Sequence, residues 1–174
     1  FPVQAMAPKH IGIIIPERAV ASHVSTTADA FAAAVLDDGF GGRIPCYRIW
    51  SIGVKGGPVT TESGLSLTPQ TTLENSPSLA TVIIAGSSNQ NRINLRDPLF
   101  EWILQRVSET RRIAVLGTGI YSLAPTGLLD GREVTTHWKM TRDVAARFPA
   151  LRGSHLRRVV KDGPFYTSAG PTSG

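Results

Sequence analysis

Arg111–Trp138, RRIAVLGTGIYSLAPTGLLDGREVTTHW, is the stretch whose reading decides how this chain folds. It opens on a short apolar run, Ile113-Ala114-Val115-Leu116, and breaks at Gly117-Thr118-Gly119. It then resumes with Ile120, Leu123, Ala124 and Leu128 at helical spacing. The pattern predicts a strand, a sharp turn and a helix. A turn this tight lifts its apex residue above the carboxyl end of a sheet, where the amides of the next helical turn face whatever sits there. In enzymes built this way the apex residue is a nucleophile. Here the apex is Gly117, with Thr118 beside it, so the shape of an active site is expected without its reagent.

Towards the N-terminus, His10 to Ile15 reads as a buried strand stopped by Pro16. Ser25 or Thr26 then caps a helix that carries Ala28, Phe31, Ala32 and Val35 inward as far as Gly39, with Asp29 in its first turns near the strand ends. Cys46 to Ile52 alternates as a second strand. In VTTESGLSLTPQTTL, β-forming residues flank Ser63-Gly64, which predicts a small hairpin at the sheet margin. Ala80 to Ala85 returns to the buried-strand pattern and ends at Gly86-Ser87-Ser88. Asp97-Pro98 reads as an N-cap followed by proline at the first helical position, ahead of a face of Leu99, Trp102, Ile103, Arg106 and Val107.

Beyond the opening stretch, Asp130-Gly131 turns the chain into a strand from Glu133 to Trp138, and Thr141 to Phe148 forms a helix closed by Pro149. Two short strands, Arg157 to Lys161 and Phe165 to Ser168, flank Asp162-Gly163-Pro164. Residues 1–9 read as an N-terminal extension and residues 10–174 as one domain. Strands alternating with helical segments predict an α/β fold: a three-layer, flavodoxin-like sandwich on a mostly parallel sheet, with ligands beyond the carboxyl ends of the strands. Gly86, Gly117 and the loop after Pro16 fall there.

The bulk properties narrow the function. At 174 residues and 41% hydrophobic side chains, the chain is long enough for one sizeable core. No apolar run approaches the roughly 20 residues of a membrane helix, and the start lacks a secretory layout, so a cytoplasmic location is expected. Cys46, the single cysteine, can form no internal disulfide and no Cys-based metal motif. His10, His23 and His155 are dispersed without metal-ligand spacing, so neither a metal nor a cofactor is assigned. The formal charge of +5 is modest and its basic residues are scattered, which reads as a solvated surface rather than a nucleic-acid tail.

The Gly-Thr-Gly elbow, Gly127-Leu128-Leu129-Asp130-Gly131-Arg132 and Thr135-Thr136-His137-Trp138, in that order and spacing, resemble the PfpI-like branch of the class I glutamine-amidotransferase superfamily. More narrowly, the chain resembles the N-terminal sensor domain of AraC-type transcriptional regulators. The Ile-rich first strand, Asp29-Ala30-Phe31, Gly64-Leu65-Ser66-Leu67-Thr68-Pro69 and Thr167-Ser168-Ala169-Gly170 extend the match over roughly residues 10 to 170. Two departures stand out: the family's elbow cysteine is Gly117, and the glycine pair ending its third core strand is Gly86-Ser87. The family continues into a helix, a linker and a helix-turn-helix DNA-binding domain. This chain does not contain that domain, and Gly170-Pro171 reads as the start of the helix, which should cover apolar surface at this end of the sheet.

The resemblance implies, for the enzymes of the superfamily, a cysteine thiolate supported by an acid and a histidine. Gly117 cannot serve. Thr118 carries a hydroxyl, but without an aligned base it is a weak nucleophile, and its ordinary role is hydrogen bonding to helix amides. Cys46, on an early strand, reads as a small buried hydrophobe. Asp29 and His137 stand at the acid and histidine positions. On a structural reading Asp29 interacts with a helix N-terminus and His137 is a packed strand-end histidine; on a functional reading both line a pocket with Gly86, Ser87, Gly117 and Thr118 that holds a carboxylate or carbonyl oxygen. Trp102 and Trp138 read as core or dimer-interface residues.

The expected function is a catalytically inactive, ligand-sensing and dimerising domain of an AraC-type regulator. Its partners would be a small-molecule effector, amino-acid-like, and a second copy of itself, with no membrane and with DNA reached only through the separate helix-turn-helix domain. The alternatives are a PfpI-like enzyme (amidase, hydratase or glyoxalase-like) using another residue, and a domain that dimerises without any ligand. Residues 1–174 alone are expected to bind DNA weakly and without sequence preference, fading as salt rises. Electrophoretic mobility shifts across a salt series check this; sequence-specific binding at physiological salt would contradict it.

Overall fold

A computed structural model describes residues 7–89, 96–154 and 156–170. Seven strands form one sheet: β1 (Lys9–Ile15), β2 (Tyr47–Gly53), β3 (Thr71–Thr72), β4 (Thr81–Ile84), β5 (Arg112–Leu116), β6 (Val159–Asp162) and β7 (Phe165–Ser168). Their spatial order is β6-β7-β5-β4-β1-β2-β3. Every pairing is parallel except that of β6 with β7 at one edge. The carboxyl ends of β1, β2, β4 and β5 therefore lie along one rim of the sheet. Central strands of a parallel sheet are covered on both faces, and β1 accordingly buries Ile11, Ile13, Ile14 and Ile15 without alternation.

Helices α2 (Pro98–Arg106), α3 (Ile120–Leu123) and α4 (Thr141–Arg147) pack on one face of the sheet. Leu99, Trp102, Ile103, Ile120, Tyr121, Leu123 and Val144 join Ile14, Ile52, Val82, Ile84, Ile113 and Val115 in the main core. Asp97 caps α2 by accepting from Leu99 N–H at 3.0 Å, with Pro98 opening the helix, as the sequence predicts. The Trp102 indole donates to Leu73 O at 2.9 Å, so its one polar atom is satisfied inside the core. The Tyr121 hydroxyl donates to Asp143 and ties α3 to α4. Helix α1 (Ala21–Ala32) lies on the opposite face against β1 and β2, completing a flavodoxin-like sandwich. Beside it an apolar groove of about 280 Å³, lined by Phe31, Ile83, Ala114, Leu116 and Tyr166 among others, runs over β4, β5 and β7.

Five local expectations differ in the structure. Helix α1 starts at Ala21, not at Ser25 or Thr26, and its N-terminus has no side-chain cap. Instead Val20 N–H donates to Gly86 O at 2.8 Å, a tertiary contact doing what a cap does. The helix also stops at Ala32, because Val35–Asp37 pairs antiparallel with Arg43–Pro45. Asp37 and Asp38 carboxylates accept from Gly39, Phe40 and Gly42 N–H across that turn, a local alternative that outcompetes helix.

Third, the helix expected after the elbow is broken into a 3₁₀ turn at Gly117–Gly119, the single turn α3, and a second 3₁₀ turn at Ala124–Thr126. Pro125 supplies no N–H, and Gly127 at φ +77° ends the run in the left-handed region. Fourth, the strand expected over Glu133–Trp138 is only Glu133–Val134, paired parallel with Arg152–Gly153. Cys46 immediately precedes β2 rather than lying in it. The hairpin around Ser63-Gly64 is present, as Val59–Thr60 against Ser66–Leu67. The helix expected from Pro171 and the dispersed His155 lie outside the described residues.

The motifs that carried the resemblance hold the chain together. Arg132 forms an ion pair with Asp162 at 3.1 Å and lies 4.9 Å from the centre of the Phe165 ring, and Asp162 also accepts from Glu133 N–H at 2.8 Å. Those hydrogen bonds, the backbone one first, hold the Asp162 carboxyl below its ordinary range. Thr135 N–H donates to Thr167 Oγ1 at 2.9 Å, and Thr136 Oγ1 donates to Gly117 O at 3.1 Å. The second threonine thus pins the elbow itself.

Gly119 packs so closely under the elbow that an added Cβ would stand 2.8 Å from Ile84 O. Gly119→Ala is expected to destabilise the protein by about 1–3 kcal/mol through overpacking against backbone. Gly56→Ala, with nothing within 4 Å, should lie within about 0.5 kcal/mol of the parent. Urea unfolding midpoints of the two variants check the pair.

Candidate functional site

The carboxyl ends of β4 and β5 meet at a glycine seam. At Gly86 an added Cβ would lie 2.9 Å from each of His23 Cε1, Leu116 O and Thr118 Oγ1, so no side chain fits. Gly117, at φ +53°, takes the left-handed turn of the elbow; a Cβ there would meet His23 Cε1 at 3.5 Å, ordinary contact. The space is open to a side chain while the backbone conformation favours glycine.

Thr118 closes the seam. Its Oγ1 accepts from Ser87 N–H at 2.9 Å and donates to Ser87 O at 3.1 Å. The hydroxyl is bound to the neighbouring loop rather than to helix amides as expected, and its proton is committed. Nucleophilic use of Thr118 would first break this pair. Ser87 is likewise occupied: its Oγ donates to Glu17 O and accepts from Asn89 N–H, and Ala19 bridges to it across the loop after β1.

Over the seam lies a cavity of about 330 Å³ lined by Val20, His23, Glu62, Ser87, Ser88, Gly117, Thr118, His137, Lys139, Met140 and Gly170. Ser87, Gly117, Thr118 and His137 are therefore brought together as the sequence reading expects, with Gly86 at the cavity's back through its contact with His23. His137 is half-buried, and its Nδ1 accepts from Lys139 N–H at 3.3 Å at the start of a 3₁₀ turn rather than at a strand end. Its neighbour Trp138 is 74% exposed, so it is no core residue, whereas Trp102 is buried.

Asp29 is the exception. Because the N-cap of α1 is Val20, five or six residues before the expected cap, Asp29 falls near the helix's C-terminal end, exposed to solvent and absent from the cavity lining. The residue that α1 delivers to the site is His23, in its first turn, a position that no metal-ligand spacing marks in the sequence. It is only 4% exposed. Its Nδ1 accepts from Gly86 N–H at 2.9 Å. One signal for it was available: a polar residue on the α1 stripe that faces the sheet.

Burial lowers the His23 pKa from 6.5 to about 4, and the Gly86 N–H pointing at Nδ1 opposes a proton there as well. The ring is neutral at pH 7, with its proton on Nε2. Among the described residues Nε2 is buried without a hydrogen-bond partner. Cys46 is no substitute nucleophile for the elbow. It sits at the amino end of the sheet, where Tyr47 pairs with Lys9, a strand length or roughly 20 Å from the rim at Ile15 and Gly53. Among the described residues no group of three His, Cys, Asp or Glu could hold a metal ion.

Because the folded chain refuses a proton that the unfolded chain accepts, His23 contributes stability that is full above about pH 6.5 and is lost as pH falls towards about 4. The loss should be on the order of 2 kcal/mol. Glu62, His137 and Lys139 line the same cavity, so the measurement is the difference in urea midpoint between the parent and His23→Asn at pH 7 and at pH 4.5. Equal acid sensitivity of the two proteins would show that the imidazole is not held neutral by burial.

Comparison with known proteins places this geometry. The model of the DJ-1/PfpI family matches residues 9–174. The transcriptional regulator GlxA of Rhizobium meliloti, described as HTH-type, is 30% identical over 167 residues, 91% of this chain and 47% of the regulator. The isonitrile hydratase of Pseudomonas putida is 32% identical over 118 residues, 67% of this chain and 50% of the hydratase. A crystal structure of an AraC family transcriptional regulator from Pseudomonas putida superposes with a TM-score of 0.71 at 18% identity, covering 95% of this chain and 86% of that one, which is a likeness of fold. The chain spans about half the length of the curated relatives it matches. With a family model matched from β1 to the last residue, and the elbow, seam and sandwich in place, the chain belongs to the DJ-1/PfpI family.

Proposed function

We propose that this chain is the effector-sensing domain of an AraC-type transcriptional regulator, working as a homodimer in the cytoplasm and reaching DNA through a separate helix-turn-helix domain. The domain, residues 10–174, binds a small molecule and catalyses nothing. One observation carries this reading: the cavity over the elbow is open and lined by polar groups, while the elbow has no side chain, the Thr118 hydroxyl is committed to Ser87, and the lone thiol lies at the opposite end of the sheet. The regulators among the relatives support the assignment. Gly86, Ser87, Gly117, Thr118 and His137 are kept as the ligand site, and His23 replaces Asp29 in it.

An amino-acid-like effector remains the first class to screen, on new grounds. The acidic group at the cavity is Glu62 and the cationic one is Lys139, both exposed and both in the lining, so opposite charges of a small zwitterion each find a partner. A second reading, a PfpI-like enzyme acting through another residue, is favoured by the isonitrile hydratase relative. It requires a nucleophile or base free to react in this cavity, and His23 and His137 are the candidates.

A stability screen of amino acids and their derivatives tests the first reading. A ligand at about 100 times its dissociation constant should add roughly 2.7 kcal/mol, seen as a raised melting temperature. Gly117→Leu, which fills the space above the elbow, should abolish that shift. No stabilisation by any compound, or an unaltered response in the leucine variant, would remove the cavity as the sensor. Turnover of an isonitrile or amide by the unmodified protein, lost on His23→Asn, would establish the enzyme reading instead.

A further inference from the structure

Of the polar side-chain atoms at the floor and back of the cavity, most are bound to backbone and one is buried without a partner among the described residues. Thr118 Oγ1 is bound to both backbone groups of Ser87. Ser87 Oγ is bound to Glu17 O and Asn89 N. Thr136 Oγ1, behind the elbow, is bound to Gly117 O. His137 Nδ1 is bound to Lys139 N. His23 Nδ1 is bound to Gly86 N, and His23 Nε2 alone of these atoms is buried with no partner among the described residues. The other two such atoms, Trp50 Nε1 and Ser168 Oγ, belong to residues outside this cavity.

Geometry fixes what Nε2 offers. Its Nδ1 accepts a backbone N–H, so the lone pair of that nitrogen is in use and the neutral ring carries its hydrogen on Nε2. Cε1, bonded to Nε2, is the atom nearest to the space above Gly117, at 3.5 Å from where a Cβ would stand. The ring thus lines the cavity, and Cε1, which joins its two nitrogens, faces the volume that the missing elbow side chain leaves open. A buried donor without a partner is unfavourable, and an incoming acceptor removes that cost while a cation or a second donor adds to it. Pre-set by the Gly86 bond and by packing, the ring loses little freedom on binding.

We propose that His23 Nε2–H is the anchoring donor of this cavity and that the ligand presents to it an unprotonated oxygen, a carboxylate or an amide carbonyl, above Gly117. This rests on the cavity being the effector site. The oxygen end enters first, towards the seam, and the rest of the molecule points out towards Glu62, His137 and Lys139. Recognition is by hydrogen bonding to a neutral imidazole, so the anchor itself does not discriminate carboxylate from amide; the rim does.

The test uses three probes of one size: acetate, acetamide and ethylammonium, with chloride at matched ionic strength as control. Long-range ¹⁵N–¹H correlation of ¹⁵N-histidine-labelled protein should show His23 as the Nε2–H tautomer when free. Acetate, acetamide or both should shift its Nε2 resonance, and ethylammonium should not. Binding of the oxygen probe should weaken at least tenfold in His23→Asn, which keeps an acceptor for Gly86 N–H and lacks the Nε2 donor. His23→Gln, which restores a donor at the Nε2 position, should recover binding to within a few-fold of the parent.

An Nδ1–H tautomer in the free protein, no shift with either oxygen probe, or equal binding by His23→Asn overturns the proposal. Its failure is separable from failure of the sensor reading. An effector whose stabilisation is lost in Gly117→Leu but kept in His23→Asn leaves the cavity as the sensor and removes His23 as its anchor. An effector unaffected by either variant removes both.

Discussion

Everything about the site depends on how closely two loops approach at the carboxyl rim of the sheet. The Thr118 hydroxyl holds both the N–H and the C=O of Ser87, joining the elbow after β5 to the loop after β4. That distance is possible only because Gly86 and Gly119 lack a Cβ; either addition would meet a carbonyl oxygen at 2.8–2.9 Å. Two hydrogen bonds and two absent methyl groups thus set the floor of the cavity. Val20 N–H and His23 Nδ1 then dock α1 onto Gly86 through its O and N respectively, so the seam also decides where the first helix begins.

The same constraint separates binding from chemistry. A nucleophile needs a proton it can give up and a base aligned to take it. At this elbow the nearest hydroxyl is held by backbone, and the apex has no side chain at all. What the cavity does hold is a buried, neutral imidazole on its wall, with the exposed Glu62 and Lys139 also in its lining. Such a constellation is suited to holding a small polar molecule. The chain has the family's frame with glycine at the apex of the elbow, and its relatives include both a hydratase and regulators. Fold alone therefore does not assign the activity.

Motif residues serve the frame more than the site. Arg132 spans from the turn at Gly131 to Asp162 and the face of Phe165, and the paired threonines before His137 fasten to β7 and to the elbow. These contacts explain why residues so far apart in sequence read as one signature: each closes a distance of about 20 to 30 residues along the chain between elements that meet at the sheet's carboxyl rim or antiparallel edge. His137 is carried into the cavity by that fastening, not by a strand of its own.

What the sequence determined by itself was the set of elements whose stability is local or whose burial is two-sided. The Ile-rich run of β1, the apolar run before Gly117, the Asp97-Pro98 start of α2 and the Ser63-Gly64 hairpin are each written in consecutive residues, and each is found in place. From these and the elbow, the parallel sandwich and four of the lining residues were legible. The tertiary structure alone decided the register of α1. Its N-terminus is satisfied by Gly86 O, 66 positions away in sequence from Val20, so no capping residue marks it, and Ser25 and Thr26 offered a false start. With the cap at Val20 rather than five or six residues later, Asp29 faces solvent and His23 faces the seam. Burial, not residue type or spacing, makes that histidine neutral and leaves its Nε2 without a partner, and burial exists only once α1, β4 and β5 have met.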